Sequence, residues 1–259
     1  MHNNTNSFFL IAGPCVVENK AITFEIAENL KTITTKLNIP FYFKASYKKA
    51  NRTSIHSFST IGEDKAIDIL KNIKEILNLK IVTDIHETSD IKKIKNIVDV
   101  IQIPAFLCRQ TELLIAAGET GKIINIKKGQ FANATQMQFA REKVLSTGNN
   151  KIWITERGNS FGYEDLIVDF RNIPILKSQG NNVVLDITHS LQQPNKENGI
   201  THGQPQFAET LAKCGIIAGV DGIFLETHPN PELALSDGKN MLRLDTIEDM
   251  LRKLLAIKV

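Results

Sequence analysis

The chain has 259 residues, 42% of them hydrophobic and 23% charged, which gives enough apolar surface for a packed core and excludes a chiefly disordered protein. Its 31 Lys and Arg against 28 Asp and Glu leave a formal charge of +3. The pI of about 8.6 comes from scattered Lys, not a basic stripe, which argues against a nucleic-acid binder. No apolar run reaches the roughly 20 residues of a membrane span, the N-terminus does not read as a signal peptide, and three distant cysteines suit a reducing cytosol.

Short apolar runs then alternate with longer amphipathic stretches. Strand 8–12 precedes helix 22–37, and strand 41–44 precedes helix 63–77. Strand 80–83 leads to a short helix at 89–96, and strand 98–103 to helix 111–117. Strand 122–126 precedes helix 134–145, and strand 151–155 precedes helix 171–179. Strand 182–186 is followed by helix 206–217, and strand 220–225 by a closing helix at 246–257. Eight β-then-α units in about 250 residues predict an α/β fold, a single (β/α)₈ TIM barrel over 1–259. The longest loops fall at 45–62, 156–165 and 189–205, and the last, poor in apolar residues, reads as a lid over 190–205.

In such a barrel the active site lies at the C-terminal ends of the strands. Polar residues gather there: Lys44, Lys48, Lys49, Asn51 and Arg52 after strand two, Asp84 and His86 after strand three, and Gln102 in strand four. Lys127 and Lys128, then Glu156 and Arg157, then Asp186 and His189 follow the next three strands, with Glu226, His228 and Asp237 last. Any one of these cations alone reads as a solvated loop charge. Lys44, Lys49, Arg52, Lys127 and Arg157 together predict a small ligand, or a pair of ligands, with two anionic groups. Cys15, His189, Glu226 and Asp237 offer a donor set for a divalent transition metal, although a lone Cys is more often a small buried hydrophobe. Cys108 and Cys214 keep that plainer reading, and Trp153, Phe41 and Phe43 read as core.

Several segments match a known family in sequence and in order. They are Ile11-Ala12-Gly13-Pro14-Cys15, Phe43-Lys44-Ala45-Ser46, Lys49-Ala50-Asn51-Arg52-Thr53-Ser54, Thr83-Asp84-Ile85-His86-Glu87 and Gln102-Ile103-Pro104-Ala105. Asn125-Ile126-Lys127-Lys128-Gly129-Gln130, Glu156-Arg157-Gly158, Asp186-Ile187-Thr188-His189-Ser190, Glu226-Thr227-His228-Pro229 and Ser236-Asp237 complete the set. Over nearly its whole length the chain resembles the 3-deoxy-D-manno-octulosonate 8-phosphate synthases. The resemblance implies a (β/α)₈ barrel, assembled as a cytoplasmic homotetramer. It also implies a transferase that joins phosphoenolpyruvate, D-arabinose 5-phosphate and water, releases phosphate and supplies the lipopolysaccharide inner core.

By the same resemblance Lys49, Lys127, Arg157 and the backbone of Ala105 hold phosphoenolpyruvate, with Gln102 at that site. Asn51, Arg52 and Thr53 hold the sugar phosphate. Lys44 and Asp84 face the reacting atoms, and Lys44 and His189 are candidate proton carriers. The family's metal-dependent members carry Cys at the first-strand position where the others carry Asn. Cys15, His189, Glu226 and Asp237 therefore imply one divalent ion, with Fe²⁺, Zn²⁺, Mn²⁺, Co²⁺ and Cd²⁺ all compatible. Thr53 stands where Ser is usual, and residues 200–205 lack the usual paired glycines and nearby Arg.

The nearest alternative is a 3-deoxy-D-arabino-heptulosonate 7-phosphate synthase, which uses erythrose 4-phosphate and carries a Lys-Pro-Arg-Thr-Ser loop; Asn51 favours the longer sugar. A metallohydrolase barrel would need more His and no rim cations. A barrel kept only for binding would have no need of Lys127, Arg157 and the metal donors together.

Overall fold

Eight strands and eight helices alternate in the computed structural model, which describes residues 8–52, 54–161, 165–193 and 202–257. The strands are β1 (Phe9–Gly13), β2 (Phe41–Lys44), β3 (Lys80–Asp84), β4 (Val100–Ile103), β5 (Ile123–Lys127), β6 (Ile152–Glu156), β7 (Asn182–Asp186) and β8 (Gly222–His228). The helices are α1 (Lys20–Lys36), α2 (Glu63–Leu77), α3 (Asp90–Ile94), α4 (Thr111–Gly118), α5 (Met137–Leu145), α6 (Asn172–Ser178), α7 (Ala208–Ile217) and α8 (Ile247–Leu255). All barrel pairings are parallel, in the order β1 to β8. β1 then closes on β8, with Phe9 opposite Gly222 and Gly13 opposite Glu226. This is the expected single (β/α)₈ barrel.

Two cores explain why the strands read as unbroken apolar runs. Leu10, Phe43, Ile81, Ile101, Ile124, Ile154, Leu185 and Leu225 point outward into the large core beneath the helices. Ile11, Val82, Val100, Trp153, Val184 and Phe224 point inward and fill the barrel. Phe9, Tyr42 and Trp153 stack at its lower end, with ring centroids 4.5 and 5.0 Å from the Trp153 ring. The period-2 alternation of each strand thus separates two apolar cores, not core from water. One step further along, the inward positions become polar: Lys44, Asp84, Gln102, Lys127, Asp186 and Glu226, all buried. The interior is apolar below and charged above.

The helices seal the outer core with one face each. In α1 the buried residues Thr23, Ile26, Ala27, Leu30 and Thr34 recur at helical spacing. That helix starts two residues before the predicted position, because the Asn19 side chain accepts a bond from the Ile22 amide at 2.9 Å and caps it. β8 runs three residues past its predicted end. A short strand, Leu242–Arg243, pairs with Thr227 and His228 and extends it. Glu226 and His228 therefore sit within the strand and not after it. The predicted helix at 206–217 begins as a 3₁₀ turn, Pro205–Phe207, before α7.

Two small hairpins decorate the rim: Asn159–Ser160 with Leu166–Ile167, and Gln192–Gln193 with His202–Gly203. The second flanks the expected lid, whose residues 194–201 lie outside those described. No helix among the described residues is long and apolar enough to cross a membrane.

Candidate active site

A cavity of about 1560 Å³ opens above the C-terminal ends of the strands. The Phe224 ring is fully buried beneath the ammonium groups of two lysines that line it. Lys127 Nζ lies 3.7 Å and Lys44 Nζ 5.7 Å from the ring centroid, so both ammonium groups rest on its electron-rich face. Lys44 is buried and donates to Glu226 Oε1 at 3.2 Å, to Ser46 Oγ at 3.1 Å and to the Cys15 carbonyl at 3.3 Å.

Cys15, Glu226 and Asp237 bring one donor atom each within 4.8 Å of one another. Chain geometry makes that meeting possible at two points. Gly13 brings β1 so close to β2 that a Cβ there would lie 2.1 Å from the Lys44 carbonyl oxygen. Asp237 has φ 52°, in the left-handed region that Asp tolerates better than most residues. The Cys15 thiol lies 3.0 Å from Ser236 Oγ and 3.1 Å from Asp237 Oδ2. Burial pushes the thiol pKa well above its ordinary value, and the Asp237 and Glu226 charges push it further in the same direction. Burial also raises the Glu226 carboxyl, but the surrounding His189, Lys44, Lys49 and Lys127 charges outweigh it and hold it at about 2.

His189 stands at the edge of this cluster and is not one of the three that converge. Its Nε2 is 3.6 Å from Glu226 Oε2, and its Nδ1 is 2.8 Å from Asp186 Oδ2. Asp186 also forms an ion pair with Lys127. Burial and these partners act against each other on Asp186: desolvation raises its pKa, while His189 and Lys127 hold it far below the usual carboxylate range.

The other predicted residues line the same cavity. Lys49, Asn51, Arg52, Gln102, Ala105 and Arg157 are all part of its lining. Burial lowers the Lys49 pKa, but the acidic groups of Cys15, Glu226, Asp84 and Asp237 outweigh that and hold it above its ordinary value. Arg52 donates to Ser236 Oγ and lies 3.9 Å from Asp237 Oδ1, so it reaches towards the thiol cluster. Buried Arg157 donates through Nη2 to Gln192 Oε1 at 2.8 Å, while its Nη1 has no partner among the described residues. Asp84 pairs with His86 Nε2 at 3.2 Å, and its Oδ1 has no hydrogen-bond partner among the described residues. Gln102 Oε1 accepts from Asn125 at 3.3 Å, and Asn125 in turn accepts from Thr155 at 2.6 Å. Thr53 lies outside the described residues.

Asp186, His86, Asn125 and Ser236 also contribute to the site, although sequence reasoning gave none of them a role. The signal for Asp186 and Asn125 was present: each is a polar residue at an inward position of an apolar strand. His86 and Ser236 act only through the chain geometry around them. Trp153 and Phe43 are buried core residues as expected, whereas Cys214 is exposed on α7.

Residues 1–258 match the profile of the DAHP synthetase I family. The chain belongs to that family. A 2-dehydro-3-deoxyphosphooctonate aldolase of Desulfosudis oleivorans is 50% identical over 250 residues, 96% of this chain and 90% of the relative. Aldolases of the same name from Geotalea uraniireducens and Geobacter sulfurreducens are 48% and 46% identical, each over 96% of this chain and 91% of the relative. Within the DAHP synthetase I family, the chain is therefore similar to proteins of that name over almost their full length.

Proposed function

We propose that the chain is a 3-deoxy-D-manno-octulosonate 8-phosphate synthase, a transferase that condenses phosphoenolpyruvate with D-arabinose 5-phosphate and water and releases phosphate. One observation carries the reading. Lys127 and Arg157, both buried, line the same cavity as Asp237 of the Cys15, Glu226 and Asp237 cluster, and Arg157 Nη1 has no hydrogen-bond partner among the described residues. A buried guanidinium N–H without an acceptor is costly, and an anionic ligand would satisfy it. The names of the relatives support the same substrates.

In this reading Lys49, Lys127, Arg157 and the Ala105 backbone hold phosphoenolpyruvate, with Gln102 beside it. Asn51, Arg52 and Thr53 hold the sugar phosphate. C3 of phosphoenolpyruvate attacks the aldehyde carbon of the open-chain sugar, water adds at C2, and C–O cleavage expels phosphate. Neutralising two anions in one cavity lets the reacting carbons approach, and such proximity is worth about 7–11 kcal/mol of barrel-imposed orientation. Lys44 and Asp84 face the reacting atoms, and Lys44 and His189 hold or move protons there.

The donor chemistry fits a divalent ion. A thiol and two carboxylates converge, and Glu226 Oε2 is buried with no hydrogen-bond partner among the described residues. Cys15, Glu226 and Asp237, with His189 at the edge, would hold one such ion among Fe²⁺, Zn²⁺, Mn²⁺, Co²⁺ and Cd²⁺, which would polarise oxygen ligands of the sugar or of water. The same reading makes the enzyme a cytoplasmic homotetramer serving the lipopolysaccharide inner core, with a lid over 190–205.

The test is phosphate release from phosphoenolpyruvate with arabinose 5-phosphate or erythrose 4-phosphate, each with and without a chelator. Release only with the five-carbon sugar, lost on chelation and restored by metal, is the expected result. Release with erythrose 4-phosphate alone would replace the substrate assignment. Chelator-resistant release would remove the metal from it.

A further inference from the structure

We propose that Asp186 is a positioning residue that couples the Cys15, Glu226 and Asp237 cluster to Lys127, because one carboxylate holds both His189 and Lys127. The inference rests on the proposed function, which supplies the cation at the cluster and the anion at Lys127.

Asp186 ends β7 with its side chain inside the barrel and fully buried. Its Oδ1 accepts the Thr188 amide at 3.0 Å and the His189 amide at 2.8 Å, so the backbone turn itself fixes the carboxylate. Its Oδ2 receives His189 Nδ1 at 2.8 Å and the Lys127 ammonium. Four donors leave the carboxylate little freedom to turn.

The contact fixes the imidazole tautomer. An ionised carboxylate has no proton to give, so at 2.8 Å the ring must supply it from Nδ1. Lys127 Nζ is farther from Nδ1, at 3.4 Å, and is engaged by the same carboxylate. In the neutral ring the lone pair is then on Nε2, which faces Glu226 Oε2 at 3.6 Å, an atom without a hydrogen-bond partner among the described residues. A carboxylate behind a ligating imidazole fixes the ring and raises its basicity.

The arrangement links two ligands. A cation drawing charge from Nε2 strengthens the bond from Nδ1–H to Asp186. The carboxylate then holds Lys127 less strongly and leaves its ammonium freer for an anion. Linkage requires the reverse as well: an anion on Lys127 tightens cation binding by the same factor.

The test uses full-length protein stripped of metal, Co²⁺ followed by its thiolate absorbance, and phosphoenolpyruvate followed by calorimetry. In the wild type each ligand is expected to tighten the other by one shared factor, about 5–150-fold. In Asp186→Asn, Co²⁺ is expected to bind about 10–100-fold more weakly, and the shared factor to fall to one. Unchanged Co²⁺ affinity in the variant, or an undiminished factor, overturns the proposal, as does a wild-type factor of one. If Asp186→Asn does not fold, ¹⁵N NMR of His189 in the unmutated protein decides. A proton on Nδ1 supports the assignment, and a ring protonated on Nε2 alone overturns it. Wild-type protein that binds neither ligand overturns the proposed function instead, and the tautomer still reports whether Asp186 orients His189.

Discussion

Cys15 and Asp237 lie 222 positions apart in the chain, yet the thiol of one donates to the carboxylate of the other at 3.1 Å. Both belong to ends of the barrel that meet only when β1 closes on β8. The contact is a proton held between two candidate metal donors.

Replacing that proton by a cation has a measurable signature. Burial and two neighbouring carboxylates keep the thiol pKa high, so the metal-free cluster holds Cys15 as a thiol at neutral pH. Metal binding needs the thiolate and must release that proton. Zn²⁺ titration in buffers of different ionisation enthalpy is expected to report about one proton released, falling towards zero in Cys15→Ser. Equal release from both proteins would take Cys15 out of the cluster.

Arg157 gives a prediction for the anion. Its planar fork offers two donors to one anion, and Nη1 has no partner among the described residues. Arg157→Lys keeps the charge and loses the fork. A charge-assisted hydrogen bond of about 1.5–3 kcal/mol corresponds to a rise of roughly 10–150-fold in KM for phosphoenolpyruvate. The KM for the sugar should stay within a few-fold, and steady-state kinetics with each substrate varied in turn will separate the two.

Asp90 predicts how stability responds to acid. It is buried at the start of α3, and its Oδ2 accepts the His86 and Glu87 amides at 2.9 and 3.1 Å. Burial raises its pKa, but these amides and Lys48 more than offset that and leave it below the ordinary value. A depressed carboxyl stabilises the fold above its unfolded pKa, near about 3.9, and loses that contribution as pH falls through the folded value. Asp90→Asn should cost about 1–3 kcal/mol at pH 7. Urea melts should show the gap between variant and wild type narrowing below about pH 4.

Gly13 should resist any side chain. A Cβ would lie 2.1 Å from the Lys44 carbonyl oxygen, and backbone cannot move aside as a flexible side chain can. Gly13→Ala is expected to cost about 1–3 kcal/mol and to weaken metal uptake, since Lys44 and Cys15 shift with that backbone. Calorimetric melting and metal content measured together will check both; a variant with wild-type values in each would show that the approach relaxes freely.

The barrel was legible because its punctuation is local. Apolar runs, Pro40 and helix-ending glycines mark eight units, and nothing non-local is needed to count them. The rim was legible for a related reason: polar residues stand at one end of each run. The partnerships were not. Lys44 reads as one cation among five, and only folding shows that it is paired with Glu226. Asp186 looked like the polar end of an apolar strand, and its two side-chain partners, Lys127 and His189, come from β5 and from the turn after its own strand. His189 reads as a metal donor from its residue type, yet its shortest side-chain contact is with Asp186 and not with the donor cluster. β8 ran past its expected end because the strand that supports it, Leu242–Arg243, comes later in the chain.

Closure of the barrel between its first and last strands has a consequence for how the protein is made. Residues 9–13 find their partners only at 222–226, and Asp237 comes later still. A chain emerging from the ribosome carries the thiol from the outset but has neither carboxylate until almost all of it has been synthesised. In the proposed reading, metal capture at this cluster would be a late event, open to a finished chain and closed to a partly translated one.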